Sequence, residues 1–285
     1  MMSHKKRIFS GRMRYPALLI MLITAAASAH ADEQRPKPAW EVGVGAGVVS
    51  LPQYMGSDER YTLAIPIPYL VYRGKRVKVD RNGIRAELFG LKQLTLDASF
   101  GAGLPVRNSN RARAGMPELK FNFQAGPRLN WHMIETDHAD VKLRLPWRGI
   151  IDVSGSTLGW LIEPDVQWRW RPTDRLNLRF NAGALYASRR YNETYYSVAP
   201  QYVTPTRAAY RAGGGLHSLS AAATMSYGIT DHLRLFGTLR YRNLSPGVIA
   251  ASPLVRDRNY LIIAAGFTWS IWQSEQDAHP SSREE

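Results

Sequence analysis

In the stretch LKFNFQAGPRLNWHM (residues 119–133) apolar and polar side chains alternate without a break. Leu119, Phe121, Phe123, Ala125, Pro127, Leu129, Trp131 and Met133 fall on one face. Lys120, Asn122, Gln124, Gly126, Arg128, Asn130 and His132 fall on the other. A period of two marks a β-strand whose faces meet two different environments. Strands of ordinary domains run to about five or six residues, and this one is more than twice as long.

The pattern recurs along the chain. LTLDASFGAGLPV (94–106) sets Leu94, Leu96, Phe100 and Leu104 against Thr95, Asp97 and Ser99. DVKLRLPWRGIIDV (140–153) sets Leu143, Leu145, Trp147 and Ile151 against Lys142, Arg144 and Arg148. WLIEPDVQWRWR (160–171), RLNLRFNAGALYASR (175–189) and HLRLFGTLRYRN (232–243) repeat it, each with arginines on the polar face. A tilted strand needs about 9–11 residues to cross a bilayer. Trp and Tyr near the strand ends match the aromatic girdles of such a sheet. The expectation is an all-β fold, a transmembrane antiparallel up-and-down β-barrel with lipid on the apolar faces.

Twelve strands are read, at 41–50, 60–73, 75–80, 83–90, 93–106, 118–133, 138–152, 157–171, 174–189, 213–229, 231–244 and 258–272. Ten or fourteen stay open, because residues 75–90 could form one bent strand. Pro66 and Pro68 each remove a ladder donor, which predicts a bulge or irregularity there. Short connections (IETDH, RPTD, ITD) and long ones (SLPQYMGSDER, RNSNRARAGMP, the stretch from Arg190 to Arg211, SPGVIAASPLVRDR) fall on opposite ends in alternation. That is the pattern of short periplasmic turns and long outer loops. It puts both ends of the sheet on the periplasmic side.

The first 31 residues carry five basic and no acidic residues, an apolar run from Ala17 to Ala27, and AHA at 29–31. This is the form of a cleaved secretory signal, with an apolar run too short to span a membrane. The expected organisation is a signal peptide at 1–31, a barrel at 32–272 and a polar periplasmic tail at 273–285, in the outer membrane of a Gram-negative cell. Removing the five basic residues lowers the net charge from +14 to +9. Cysteine is absent, which excludes disulfides, thiol catalysis and Cys-based metal sites. The basic residues alternate along strands and form no single face, so nucleic acid is not an expected partner.

Candidate chemistry concentrates on the inward faces. Arg128, Arg144, Arg148, Arg169, Arg179, Arg240 and Arg242 share the expected lumen with Asp97, Asp152, Glu163 and Asp165. An ion-paired plug and an anion-favouring pore both use such a set; the narrow bore of a small barrel favours the plug. Arg107, Arg111 and Arg113 form a basic outer loop, solvated or in contact with the phosphates of lipopolysaccharide. Tyr191, Tyr195, Tyr196, Tyr202 and Tyr210 suggest a lid or an adhesive surface. GVGAGV (43–48) lacks the following helix that a phosphate loop needs, so its glycines belong to a curved strand. His217-Ser218 lacks an orienting third group, and strand histidines of this kind are interior hydrogen-bonding groups; no enzyme activity, metal or cofactor is expected.

Two blocks of sequence resemble the MipA/OmpV (MltA-interacting protein) family. The first is VGVGAGVVSLPQYMGSDERYTLAIPIPYLVYRGKRVKVDRNGI; the second comprises YNETYYSV, AGGGLHSLSAAATMSYGITDHLRLFGTLRYRNL and ASPLVRDRNYLIIAAGFTWSIW. The resemblance implies an outer-membrane barrel without catalytic residues, assembled by the barrel-assembly machinery. For the namesake it implies a scaffold bringing a lytic murein transglycosylase together with a murein synthase. Other members look osmoregulated or adhesin-like. One departure is that FTWSIW ends at Trp272 and QSEQDAHPSSREE follows, whereas members commonly end on an aromatic residue of the last strand.

Overall fold

The computed structural model describes residues 40–73, 77–80, 83–86 and 93–274. The signal at 1–31 lies outside the described residues, as does the tail from residue 275. The strands are β1 (Trp40–Pro52), β2 (Arg60–Arg73), β3 (Val77–Asp80), β4 (Gly83–Ala86), β5 (Leu94–Gly103), β6 (Asn122–Glu135) and β7 (Ala139–Asp152). They continue with β8 (Thr157–Ile162), β9 (Asp165–Trp170), β10 (Leu176–Ala187), β11 (Gly215–Gly228), β12 (Leu233–Asn243) and β13 (Asn259–Gln273). One α-helix, α1 (Arg189–Tyr196), lies in the connection between β10 and β11.

All strands belong to one antiparallel sheet, and sequential neighbours pair except β8 and β9, which each pair with β7 and β10. β10 pairs with β11, and β13 pairs back onto β1 with Glu41 opposite Gln273. Among the described residues the sheet has thirteen segments, and the strand read at 157–171 is interrupted at Glu163–Pro164. Both halves keep one register against β7 and β10: Ile162 faces Trp147 and Tyr186, and Asp165 faces Arg144 and Gly183. Pro164 has no N–H, and Glu163 lies opposite another proline, Pro146, whose carbonyl accepts from its N–H at 3.2 Å; the ladder therefore lapses without slipping. Gly183 abuts the break, and a Cβ there would lie 2.3 Å from the Pro164 carbonyl oxygen.

The irregularity expected at Pro66 and Pro68 is absent from the β1–β2 ladder. Thirteen residues pair in an unbroken register, with Pro66 opposite Ala46 and Pro68 opposite Val44. The two prolines have the same parity, so their missing donors fall on one side of the strand, and the β1 side is undisturbed. Residues 75–90 contribute two short strands, β3 and β4.

The apolar face of each long strand points outward. Phe123, Leu129, Trp131, Leu145, Trp147, Val166, Trp168, Leu239, Ile263 and Trp269 are all exposed. A water-soluble sheet would bury such residues; a sheet in lipid exposes them and satisfies its backbone through closed pairing. Trp40, Trp131, Trp170, Tyr227, Trp269 and Trp272 ring the short-turn end, and Trp160, Tyr186 and Tyr241 lie toward the loop end. The inward face has two characters. On β1 and β2, Gly43, Gly45 and Gly47 lie opposite Tyr69, Ile67 and Ile65, and Phe236 of β12 packs over Gly47 and Gly266. Glu41 on β1 accepts from the Tyr69 hydroxyl (2.6 Å), and the strands from β5 round to β12 carry the charged clusters described below.

The main hydrophobic core sits at the loop end. Ile150, Leu161, Leu185 and Tyr260, from the upper ends of strands, pack with Tyr54, Tyr191, Tyr195, Tyr196, Leu244, Ile249 and Val255 from helix and loops. Helix α1 begins at Ser188, whose Oγ accepts from Tyr191 N (3.3 Å) and from Trp160 N (3.0 Å). This fastens the helix start to β8. Gly159 (φ +105°) makes the approach possible, since a Cβ there would lie 2.1 Å from that Oγ. Tyr191, Asn192, Tyr195 and Tyr196 fall on one helical face and are buried. Tyr196→Ala should therefore destabilise the cap by about 3–5 kcal/mol, the cost of deleting a buried aromatic. Denaturant unfolding should show the loss, and hydrogen exchange should show faster opening of residues 244–258 while strand amides keep their protection.

Candidate functional site

The polar side of the lumen is organised by carboxylates, each gripped by arginines from other strands. Asp97 on β5 accepts from Arg128 Nη2 (2.8 Å) and Asn130 Nδ2 (3.0 Å) on β6. Asp165 Oδ1 on β9 accepts from Arg144 Nε (2.9 Å) and Nη2 (2.7 Å) on β7 and from Asn181 Nδ2 (3.2 Å) on β10. Asp140 accepts from Arg169 Nε and lies 3.7 Å from Lys142 Nζ. Arg179 is on β10, in register with Arg169 and Thr224.

Glu163, at the break between β8 and β9, is the most heavily engaged carboxylate. Its Oε2 accepts from Arg148 Nη2 (2.9 Å) and its Oε1 from Arg242 Nη2 (2.6 Å). Arg240 Nη1 lies 3.6 Å from Oε1. Charge-assisted bonds of this kind are the strong ones, and they tie β7 and β12 to the β8–β9 strand across the interior. The spaces left between these side chains are small. One, about 120 Å³, is bounded by Arg128, Arg144, Arg148, Glu163, Asp165 and Arg240; another, about 40 Å³, lies among Asp97, Lys142, Gln167 and Arg169.

A relay of hydrogen bonds runs from this network into the cap. Arg242 Nη1 donates to Ser218 Oγ (2.8 Å), and Ser218 Oγ lies 3.0 Å from His217 Nδ1. His217 Nε2 lies 2.9 Å from the Tyr196 hydroxyl, which donates to the Met55 carbonyl (2.9 Å). Tyr196 has one proton, spent on Met55, so His217 donates through Nε2 and accepts Ser218 at Nδ1. Both ring nitrogens and both hydroxyls of the relay are bonded with the imidazole neutral. His217 and Ser218 thus form a fully buried structural link, with no third group that would make a nucleophile of the serine. Burial raises the Tyr54 and Tyr196 hydroxyls above the ordinary tyrosine value, which keeps them protonated as donors, and raises Tyr195, whose hydroxyl accepts from Asn122 Nδ2 (2.9 Å).

The residues read as a basic outer loop have separate fates. Arg107 is exposed. Arg111 is exposed and reaches Asp58 Oδ2 (3.5 Å) and Glu59 Oε1 (3.3 Å). Arg113 turns inward, 3% exposed, and donates to the carbonyls of Tyr195 (2.8 Å) and Pro117 (3.2 Å). Of the tyrosines, Tyr191, Tyr195 and Tyr196 are core residues, and Tyr202 and Tyr210 are half-buried. Asp152 sits at the end of β7 and accepts from Ser154 and Ser156 of the adjoining turn. Among the described residues no group of histidines and carboxylates could hold a metal ion.

Glu163→Gln keeps the volume and removes the charge that three arginines share. Breaking a buried pair from one side costs about 3–5 kcal/mol, so the unfolding midpoint of the refolded barrel should fall clearly. Asp165→Asn, which strands one arginine, should cost less; equal midpoints for the wild type and Glu163→Gln would contradict the assigned hub.

Among solved structures the chain is similar to an outer membrane channel from Pseudomonas putida F1, with 11% identity, coverage of 86% of this chain and 99% of that one, and a TM-score of 0.45. It is also similar to the NanC porin, at 11% identity, coverage of 81% and 100%, and a TM-score of 0.41. A third is a bacterial polysaccharide outer membrane secretin, at 8% identity, coverage of 82% and 99%, and a TM-score of 0.43. No curated protein matches the sequence. The family model of the MltA-interacting protein MipA matches residues 44–271, most of the chain, and this outer-membrane barrel belongs to that family.

Proposed function

We propose that this protein is a non-conducting, non-enzymatic outer-membrane barrel that works as a docking scaffold for enzymes that remodel peptidoglycan. The observation that carries the reading is the ion-paired set around Glu163, which crosses the interior from β7 to β12 beneath the packed cap. Side chains bonded to one another across that part of the lumen, with only small spaces between them, and a cap packed as a hydrophobic core support a body whose work is done on its outside. Membership of a family described as MltA-interacting supports a lytic murein transglycosylase as one partner; a murein synthase brought beside it completes the proposed scaffold. The docking surface is the short-turn end, read as periplasmic: the turns at 136–138, 171–175 and 229–232 present Asp137, His138, Asp174, Arg175 and Asp231 to solvent. The polar tail from residue 273 would leave from the same end. Outer-membrane lipid contacts the apolar belt, and the barrel-assembly machinery inserts it.

The second reading is an anion-favouring pore, supported by the excess of arginine over carboxylate around Glu163. Two measurements separate them. Cross-linked pull-down from solubilised envelopes should recover a murein transglycosylase and a murein synthase well above an unrelated-barrel control, and charge reversal in the 171–175 turn should reduce that recovery. In a planar bilayer the purified barrel should give no steady conductance. A conductance whose ion selectivity shifts in Arg144→Ala or Arg179→Ala would establish the pore instead.

A further inference from the structure

The loops that follow β1, β5, β10 and β12 enclose an open cleft of about 430 Å³ at the loop end. Its lining includes Asp58, Arg111, Thr204, Thr206, Arg207 and Arg256. Asp58 and Glu59 are already engaged by Arg111. Arg207 and Arg256 have no ion-pair partner among the described residues. Arg207 is 8% exposed, and its recorded bonds all go to main-chain oxygens: Nε to Tyr202 (2.9 Å), Nη1 to Ala112 (3.0 Å) and Ala114 (2.9 Å). That leaves Nη2 unpartnered among the described residues, on a side chain that lines the cleft.

Arg113 sits between the two residues whose carbonyls hold Arg207, and it too is buried against carbonyls alone. Carbonyl dipoles satisfy hydrogen bonds, but they do not cancel charge. A buried ion without a counter-ion is costly. Burial, together with the nearby Arg207, pulls Arg113 below the ordinary guanidinium value. At the cleft three arginines (Arg111, Arg207, Arg256) therefore meet two carboxylates (Asp58, Glu59), with Arg113 buried beside them, next to a recess open to solvent.

We propose that this cleft binds a phosphorylated saccharide. The phosphate would meet Arg207 Nη2 and the Arg256 guanidinium, whose planar donors suit a phosphate's oxygens. A phosphate carries enough negative charge to answer more than one unpaired arginine. The exposed hydroxyls of Thr204 and Thr206 would bond the sugar, for which the recess has room beyond the phosphate itself. Such a group occurs both on membrane glycolipids and free in solution, and the cleft's chemistry is the same for either.

The test uses the refolded full-length barrel in detergent. Arg207 also fastens the loops, so the diagnostic variant is Arg256→Gln, which removes an exposed guanidinium with no recorded hydrogen bond; Arg256→Lys checks for partial rescue. In the first arm, calorimetric titration compares glucosamine 1-phosphate with glucosamine. In the second, native mass spectrometry compares a phosphorylated diglucosamine lipid with its dephosphorylated form. Phosphate-dependent binding is expected, weakened in Arg256→Gln by about tenfold or more, the loss of one charge-assisted contact. Binding in the first arm assigns the site to free sugar phosphates, and binding in the second alone assigns it to a glycolipid. Absence of binding in both arms, or equal binding by wild type and Arg256→Gln, overturns the proposal.

Discussion

A carboxylate inside a membrane-spanning sheet is tolerable only where cations meet it, and at Glu163 three do. That requirement organises the interior. Arg148 approaches from β7, while Arg240 and Arg242 come from β12, so one acidic side chain draws together strands far apart in the chain. The break at Pro164 places Glu163 where the ladder lapses, and Gly183 beside it leaves space that any side chain would fill. The interruption of a strand and the concentration of charge are one feature.

The same hub reaches the cap. Arg242 divides its donors between Glu163 and Ser218, and the relay through His217 and Tyr196 ends on the main chain at Met55. Below it the packing is ionic, above it aromatic and aliphatic, and the imidazole is the joint between them. The polar half confers geometry, since its bonds are directional and leave each partner few alternatives. The cap supplies the apolar burial that a lipid-facing sheet lacks in its outward face. Cap and lumen therefore form one cooperative body.

Much of this architecture was legible in the sequence, because alternation over ten or more residues has one physical meaning in a barrel. The long strands, the outward Trp131 and Trp147 and the inward Arg128 and Arg144 all follow from parity. What parity could not reveal is partner choice: Glu163 and Asp165 share a face, yet only the closed arrangement shows which of them faces Arg242. The apolar inner face of β2 (Ile65, Ile67, Tyr69) was also hidden, because prolines at two consecutive outward positions, 66 and 68, blur the contrast between the faces. The cap was least legible. Tyr54, Tyr196 and Leu254 come from segments with no repeating period, and Arg113, which reads as a solvated loop residue, is buried. Loops that fold against one another carry no periodic signal of doing so.

Loops are ordinarily where a protein can vary without penalty. Here the long ones supply most of the core, so a change at Tyr54, Tyr196, Ile249 or Leu254 acts as a change in the interior. The turn at 153–156 stands apart: its side chains are exposed, and the space around Gly155 is empty. Ala208 and Ala209 are exposed as well. A protein binding this end of the molecule would meet exposed positions that sequence drift can redraw, among them 107–109, 117–118, 203–206 and 208–209, laid over buried loop residues that it cannot.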